Sequence, residues 1–335
     1  MIRAWMLAAL LPAAVSAAPA DHRDGPGSAV SDRAMTAPTE ERARTRNRHH
    51  KASATSARFC RALARKLRTV TYAGCHALSL EPSGARSVQG RPLMIRRLDP
   101  AGAGHGRVLF IGGIHGDEWA AVSLTYLWLQ ALLRHPDQLH HQWLFVPVAN
   151  PDGLLRRPSR RTNAHGVDLN RNFPSPDWRQ QAHHWWTRYK RRNPRYYPGP
   201  APASEPETRY LVQLIHDWKP DVIISLHAPW NLLDYDGPEH AVPQKLGRLR
   251  LRQLGTYPGS LGRYAGEYLK IPVLTIELKS AARMPDKREI AAMQADLDRW
   301  IEHTLRAPLA KAADHPHKND KMNPTTLTAE RSEAP

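Results

Sequence analysis

Four short apolar runs, each ending at a polar side chain or a glycine-rich turn, constrain the fold of this chain more than any other feature. They are short for helices, and segments with helical spacing separate them. Continuous apolar runs of this length are typical of strands that are buried on both faces of a sheet. The runs are Val108 to Ile111, Trp143 to Val148, Val222 to Leu226 and Val273 to Ile276.

The segments between these runs read as helices. Glu118 to Leu133 has apolar residues at helical spacing, and Met293 to Leu305 reads as a late amphipathic helix. Ser204 and Glu207 predict a capping box that opens a helix through His216. Strands that alternate with helices predict an α/β fold, with a mostly parallel, mixed sheet flanked by helices on both faces.

Composition shifts divide the 335 residues into four segments. Residues 1–17 read as a signal peptide, because a basic start precedes a short apolar run and small residues at a cleavage site; the alternative is a buried helix. Residues 18–56 are expected to be a disordered leader, and residues 307–335 a disordered tail. Residues 57–306 then form one catalytic domain, and we expect export to the periplasm.

The cysteine content and the charge limit the class of protein. Two cysteines exclude a disulfide-framework miniprotein and a cysteine-rich zinc module. Cys60 and Cys75 can form a disulfide after export, the alternative being two buried free thiols. The net charge of +17 favours polyanionic partners such as nucleic acid, anionic surfaces or carboxylate-rich substrates. Nucleic acid is disfavoured by export, and no segment after the signal peptide is long enough for a membrane span.

Polar residues at the ends of the predicted strands suggest a metal site. His115 and Glu118 follow the first run, His227 follows the third, and Glu277 follows the fourth. Sites in open α/β sheets form beyond the carboxyl ends of the strands. Two histidines and one carboxylate, with a fourth position left open, are the ligands of many catalytic zinc ions. On spacing alone, His115 also fits a loop histidine, Glu118 a helix N-terminal carboxylate and His227 a core histidine.

Longer motifs give the sequence a specific resemblance over roughly residues 85–300. The chain resembles the zinc carboxypeptidases of the carboxypeptidase A type, and within them it is most similar to the murein peptide amidases. The motifs that carry the resemblance are Gly113-Ile114-His115-Gly116-Asp117-Glu118, Asn150-Pro151-Asp152-Gly153, Gly166-Val167-Asp168-Leu169-Asn170-Arg171-Asn172-Phe173-Pro174, Ser204-Glu205-Pro206-Glu207-Thr208, Ser225-Leu226-His227-Ala228-Pro229, Asp234-Tyr235-Asp236-Gly237-Pro238, Tyr257-Pro258-Gly259-Ser260-Leu261-Gly262 and Thr275-Ile276-Glu277-Leu278.

The resemblance implies a role for each matching residue. His115, Glu118 and His227 would bind one zinc ion, and Asp168 would accept a hydrogen bond from the other ring nitrogen of His115. Glu277 would be the general base that takes a proton from the attacking water. The remaining implied groups polarise the scissile carbonyl (Arg161, with Arg157 and Arg160 nearby), hold a substrate carboxylate (Asn170 and Arg171) and cover the substrate (Tyr257, the alternative being a loop ring packed on the rim). Asp234 and Asp236 are candidate contacts for an amino group of the substrate, and the alternative is a turn formed with Gly237 and Pro238.

Residues 156–195 contain eleven Lys or Arg and two Asp, and several Trp and Tyr lie in or just beyond this stretch. Two interpretations fit this segment. It is either a rim of the cleft, which attracts carboxylate-bearing peptides or an anionic wall polymer, or it is a solvated loop whose aromatic rings pack on the domain.

The resemblance predicts a zinc amidase that cuts peptidoglycan peptides at the γ-D-glutamyl–diaminopimelate bond. The alternatives are a general carboxypeptidase that releases C-terminal residues and a non-catalytic wall-binding protein.

Overall fold

The computed structural model describes residues 37–306, except Ala103 and His105. The chain divides into two compact units, Met1–Asn47 and Arg48–Pro335. The predicted signal peptide and the predicted tail lie outside the described residues. No helix within the described part of the chain is both long and apolar enough to cross a membrane.

Seven helices and nine strands form the regular structure of the described residues. The helices are α1 (Ala37–Lys66), α2 (Tyr72–Ala77), α3 (Trp119–Arg134), α4 (Pro151–Leu155), α5 (Trp178–Arg188), α6 (Pro206–Trp218) and α7 (Lys287–Arg306). The strands are β1 (Glu81–Arg86), β2 (Pro92–Leu98), β3 (Arg107–Ile111), β4 (Gln142–Val146), β5 (Val222–His227), β6 (Leu232–Asp236), β7 (Lys245–Leu246), β8 (Leu249–Arg250) and β9 (Val273–Glu277).

One seven-stranded sheet organises the Arg48–Pro335 unit, in the order β1-β2-β4-β3-β5-β9-β6. The four predicted strands form its centre, where β4, β3, β5 and β9 run parallel to one another. The outer pairings of β1 with β2, β2 with β4, and β6 with β9 are antiparallel. The predicted mixed sheet is therefore confirmed, and its parallel part is the central block of four strands.

The two faces of the sheet are buried under different helices because side chains alternate along each strand. Val108 and Phe110 of β3 pack in one cluster with side chains of α1, α2, α3 and α7. Leu109 and Ile111 point to the opposite face and pack with α6 and with the π-helical turn Gly262–Tyr268. Helices thus flank both faces, as predicted.

The Cys60–Cys75 disulfide is present and joins α1 to α2. Both cysteines are fully buried in the cluster beneath α3. Of the two alternatives that the sequence left open, the structure contains the bridge.

Two local predictions are wrong. Residues 37–56 belong to α1 instead of a disordered leader, because the segment is rich in Ala and Arg, which favour helix without an apolar period. The capping box at Ser204 does not form: Glu205 is the N-cap of α6, and no side chain caps the helix. Glu207 instead accepts hydrogen bonds from the backbone N–H of Val88 and from Asn163, which anchors the β1–β2 hairpin.

Candidate metal centre and substrate cleft

The carboxyl ends of the central strands place the polar residues side by side. His227 at the end of β5 is the register partner of Glu277 at the end of β9. One step deeper, Ser225, Thr275 and Asp234 lie in a row across β5, β9 and β6. All five side chains line one cleft together with His115 and Glu118. The parallel register therefore brings together groups that are far apart in the sequence.

Three buried donors converge at one point of this cleft. Glu118 Oε1 lies 2.8 Å from Nδ1 of His115, and its Oε2 lies 3.1 Å from Nδ1 of His227. The two imidazole Nδ1 atoms are 3.0 Å apart. The ligand atoms of these three residues all fall within 4.8 Å of one another. The structure thus brings together the three residues that the sequence predicted as metal ligands.

Hydrogen bonds on the far side of each ring set the histidine tautomers. Nε2 of His115 lies 3.1 Å from Oδ1 of Asp168, and Nε2 of His227 lies 3.0 Å from Oγ of Ser225. A carboxylate accepts from the N–H of His115, so that Nδ1 of this ring keeps its lone pair. Two ring nitrogens and a carboxylate that face one another fit a divalent cation, and the nitrogen and oxygen donor set suits zinc.

Glycines allow the loop after β3 to reach this position. Gly113 has φ +64°, a region that side chains disfavour, and a Cβ there would lie 2.8 Å from Val122. A Cβ on Gly116 would overlap the backbone of Gly153 and Leu154. Both positions therefore require glycine, and they turn the chain so that His115 and Glu118 face the same point.

Burial and neighbouring charges shift the ionisation of the converging groups. Burial raises the pKa of Glu118, but the imidazoles of His115 and His227 lower this pKa by a larger amount. The net shift is strongly downward. Burial lowers the pKa of His227, and the Glu118 carboxylate more than offsets this effect. Burial also raises the pKa of Asp168, but Arg161 and His115 hold it far below its usual value. Both carboxylates are therefore ionised at neutral pH.

Glu277 differs from these two carboxylates. Its side chain is buried, and one oxygen is 3.4 Å from the backbone N–H of Trp230. Burial raises the pKa of Glu277 to about 7, although His227 opposes the shift. A carboxyl group with a pKa near neutrality can both accept and return a proton, which suits it to general acid–base chemistry.

Of the three neighbouring arginines Arg157, Arg160 and Arg161, the last lines the cleft and the other two are exposed. Its Nε donates to Oδ2 of Asp168 at 2.8 Å, and its Nη1 lies 3.1 Å from Nδ1 of His115. Burial lowers the pKa of Arg161, but Asp168 and Glu118 raise it more, so the guanidinium stays charged. A fixed cation beside the three donors can stabilise developing negative charge on a carbonyl oxygen.

Asn170, Arg171 and Tyr257 form the wall beside this cation. Oδ1 of Asn170 accepts from the backbone N–H of Leu261 at 2.8 Å. The buried guanidinium of Arg171 lies 4.5 Å from the ring centroid of Tyr257 and 5.1 Å from that of Trp185, and its Nε has no hydrogen-bond partner among the described residues. Its Nη1 donates to the backbone carbonyl of Asn170 at 2.6 Å, and the remaining N–H groups can bind a carboxylate.

Gly259 makes this stacking possible. It has φ +78°, and a Cβ there would overlap the backbone carbonyl of Arg171. The backbone carbonyl of Gly259 also accepts from the N–H of Phe173 at 3.0 Å. The loop that contains Tyr257 is thereby held against the segment that contains Arg171.

Two carboxyl groups of β6 also line the cleft. Asp234 is buried, and its Oδ1 accepts from the backbone N–H groups of Tyr235 and Leu254 at 3.0 and 2.9 Å. Burial raises the pKa of Asp234 despite these bonds. Burial, together with the charges of Asp234 and Glu267, raises the pKa of Asp236 to about 7. A bound cation would stabilise the ionised form of both carboxyl groups.

The basic and aromatic segment, residues 156–197, is anchored beside the cleft. Arg195 forms a salt bridge with Asp117 in the loop between His115 and Glu118. The carbonyl of Tyr197 accepts from the backbone N–H of Asp168 at 2.8 Å. Lys190 and Tyr196 from this segment line the cleft itself.

Sequence reasoning missed one residue of the metal centre. Ser225, which contacts Nε2 of His227, was quoted only as part of a motif. A strand places residues i and i+2 on the same face, so a hydroxyl two positions before a candidate ligand was a usable signal.

Replacing Asp168 with Asn tests the support of His115. We expect zinc affinity and activity to fall by about 10–100-fold, because the neutral amide holds the imidazole less firmly and no longer balances Arg161. Zinc dissociation constants, measured by competition with a chelator, check the effect on the metal separately from turnover. The control is Asp99→Asn, which changes an exposed carboxylate that contacts Arg97. An unchanged zinc affinity in Asp168→Asn would contradict the assignment.

The fold and the converging metal-ligand atoms define a class of protein. It is a metal-dependent hydrolase whose site lies at the carboxyl edge of a mixed sheet. The family model of zinc carboxypeptidases matches residues 79–248, which include His115, Glu118 and His227, whereas Glu277 lies beyond the match. The chain belongs to the zinc carboxypeptidase family and is a zinc-dependent metallopeptidase.

Individual relatives agree with this assignment. Murein peptide amidase A of Escherichia coli K12 is 32% identical over 223 residues, which cover 64% of this chain and 88% of the relative. Murein peptide amidase A of Vibrio campbellii is 32% identical over 205 residues, covering 58% and 78%. The crystal structure of carboxypeptidase A from Helicoverpa armigera has the same fold, with a TM-score of 0.57 at 16% identity, and covers 71% of this chain and 73% of that one.

Proposed function

We propose that the protein is exported to the periplasm and hydrolyses peptidoglycan-derived peptides at the γ-D-glutamyl–diaminopimelate amide bond. Two relatives of similar sequence are named murein peptide amidase A. The observation that carries the proposal is the charge pattern of the cleft, which is lined by the carboxyl groups of Asp234 and Asp236 and by the guanidinium of Arg171. Diaminopimelate has two amino-acid centres, so the centre outside the scissile amide keeps both an ammonium and a carboxylate. A cleft with two acidic groups and a guanidinium that has no ion pair among the described residues complements such a zwitterion.

The chemistry follows from the groups around the three donors. His115, Glu118 and His227 would hold zinc, which when bound acts as a Lewis acid and makes water a stronger acid. Glu277 accepts a proton from the attacking water at a carboxylate oxygen and returns it to the leaving amine. Arg161 stabilises the negative charge that develops on the scissile carbonyl oxygen. Arg171 and Asn170 bind a carboxylate of the leaving residue, and Tyr257 covers it.

Export is supported by two independent features. The first residues have the composition of a signal peptide, although they lie outside the described residues. The buried disulfide between Cys60 and Cys75 is of a kind that persists in oxidising compartments.

A digest of defined peptides tests the function. The zinc-loaded protein is incubated with L-Ala-γ-D-Glu-diaminopimelate and, separately, with N-blocked α-linked dipeptides, and the products are identified by mass spectrometry. We expect release of free diaminopimelate and L-Ala-D-Glu from the first substrate. Hydrolysis of the dipeptides without release of diaminopimelate would instead identify a general carboxypeptidase. Binding without hydrolysis of either would indicate the non-catalytic alternative.

Replacing Asp234 with Asn tests the acidic pair. The amide can still accept the two backbone hydrogen bonds, but it no longer balances an ammonium group. We expect KM for the diaminopimelate tripeptide to rise by about tenfold, the loss typical of one charge-assisted hydrogen bond. KM for an analogue without the distal amino group should change little. Asp217→Asn, on the exposed side of α6, is the matched control. Equal changes for the two substrates would refute the contact.

A further inference from the structure

Lys190 is a half-buried cation of the cleft that the mechanism above does not use. It follows α5 and lines the same cleft as His115 and Glu277. Its Nζ lies 4.9 Å from the ring centroid of Trp185 and 5.0 Å from that of Tyr196. These two rings hold the ammonium over their faces and fix its position at the wall of the cleft.

The charge of Lys190 is not balanced within the protein. Among the described residues no carboxylate forms an ion pair with its ammonium, whose side-chain contacts are the two aromatic rings. Arg161 differs, since it pairs with Asp168. A cation that is partly removed from water and has no counter-charge is costly, and an anionic ligand would relieve this cost.

Lys190 shares an aromatic ring with each of the two guanidinium groups of the cleft. Tyr196 contacts both Lys190 and Arg161, whose guanidinium carbon is 5.3 Å from the ring centroid. Trp185 contacts both Lys190 and Arg171. The ammonium is therefore held close to the cation beside the metal ligands.

The chemistry of a γ-linked substrate supplies an anion for this position. In a γ-glutamyl amide the scissile carbonyl belongs to the glutamyl side chain, so the α-carboxylate of the same residue stays free on the acyl side of the bond. An α-linked peptide with a neutral residue on the acyl side has no carboxylate there. A cation that shares an aromatic ring with the carbonyl-polarising arginine, and has no ion pair among the described residues, matches this additional charge.

We propose that Lys190 binds the free α-carboxylate of the γ-glutamyl residue and thereby selects γ-glutamyl substrates over α-linked peptides that have a neutral residue on the acyl side of the bond. The proposal rests on the proposed function, because it assigns part of the same substrate. It makes Lys190 a specificity residue, distinct from the groups that act on the scissile bond.

The test compares two tripeptides that differ only in this carboxylate. One is L-Ala-γ-D-Glu-diaminopimelate, and the other has D-isoglutamine in place of D-glutamate, so that the α-carboxylate is a neutral amide. In Lys190→Met we expect kcat/KM for the acid to fall by about tenfold, the effect of one hydrogen bond to a charged group. The loss for the amide should be much smaller, and Lys190→Arg should restore most of the preference.

A matched control separates a specific contact from the general charge of the segment. Arg188→Met removes one positive charge from the exposed end of α5, outside the residues that line the cleft. We expect this variant to retain the acid-to-amide ratio of the wild type. A change in that ratio equal to that of Lys190→Met would overturn the proposal, and so would equal losses on both tripeptides in Lys190→Met.

A binding measurement distinguishes failure of this inference from failure of the proposed function. The dissociation constants of both tripeptides are measured by calorimetry with zinc-loaded Glu277→Gln protein, with and without Lys190→Met. If the wild type cleaves neither peptide but Lys190→Met still removes the preference for the acid, the proposed reaction is wrong and the carboxylate site stands. If cleavage is normal and the preference is unchanged by the variant, the carboxylate site is wrong and the reaction stands.

Discussion

Replacing Glu277 with Gln is expected to lower kcat by about 10²–10⁴-fold, the usual contribution of a positioned general acid–base group. The amide has nearly the same shape, but it cannot accept a proton from water. Zinc content should remain at one ion per chain, because His115, Glu118 and His227 are unchanged. Elemental analysis and steady-state kinetics on the same preparation measure both quantities.

The matched control is Glu81→Gln, which alters an exposed carboxylate at the start of β1, outside the residues that line the cleft. Turnover at the wild-type rate in Glu277→Gln would refute the assigned base. The wild-type pH profile gives a second check. Glu277 must be ionised to accept a proton, and its pKa is raised to about 7. Activity should therefore fall as the pH drops through about 7, or somewhat lower when zinc adds positive charge, and this acid limb should be absent from the residual activity of the variant.

Replacing His227 with Ala is expected to abolish both zinc binding and turnover. The change removes one of three buried donors and leaves Glu118 and His115 without their third partner. The loss of zinc affinity should exceed the roughly 10–100-fold effect of altering an outer hydrogen bond to a ligand. Competition with a chelator measures the affinity.

Thermal unfolding provides a readout for His227→Ala that does not depend on activity. A ligand that binds only the folded protein stabilises it, so added zinc should raise the Tm of the wild type but not of the variant. His303→Ala, which removes an exposed imidazole from α7, should respond to zinc like the wild type. A zinc-dependent rise in the Tm of His227→Ala equal to that of the wild type would exclude this histidine as a ligand.

The sequence predicted the centre of the sheet but not its edges, for a physical reason. The four central strands are buried on both faces, so they are continuously apolar and stand out from their surroundings. The outer strands β1 and β2 include Pro, Gly and several Arg, because they are partly exposed to solvent. β6 contains Asp234 and Asp236, which face the cleft and interrupt its apolar pattern.

The candidate site was predictable to the extent that its residues follow strands or belong to long motifs. His115, Glu118, His227 and Glu277 could be named because the ends of parallel strands meet at one edge. The environment of Lys190 could not be inferred from sequence. It depends on Trp185 and Tyr196. Their contacts with the ammonium arise from the way α5 and the residues after it pack, and no hydrophobic pattern in the sequence indicates this packing.

The large sequence distance between the converging histidines has a consequence for how the enzyme acquires its metal. His115 and His227 are 112 residues apart, and their imidazoles meet only when β3 and β5 have paired. An unfolded chain therefore offers zinc no preformed binding site, and the ion cannot act as a nucleus for folding. Coordination by all three side chains thus depends on prior assembly of the sheet, in whichever compartment the chain folds.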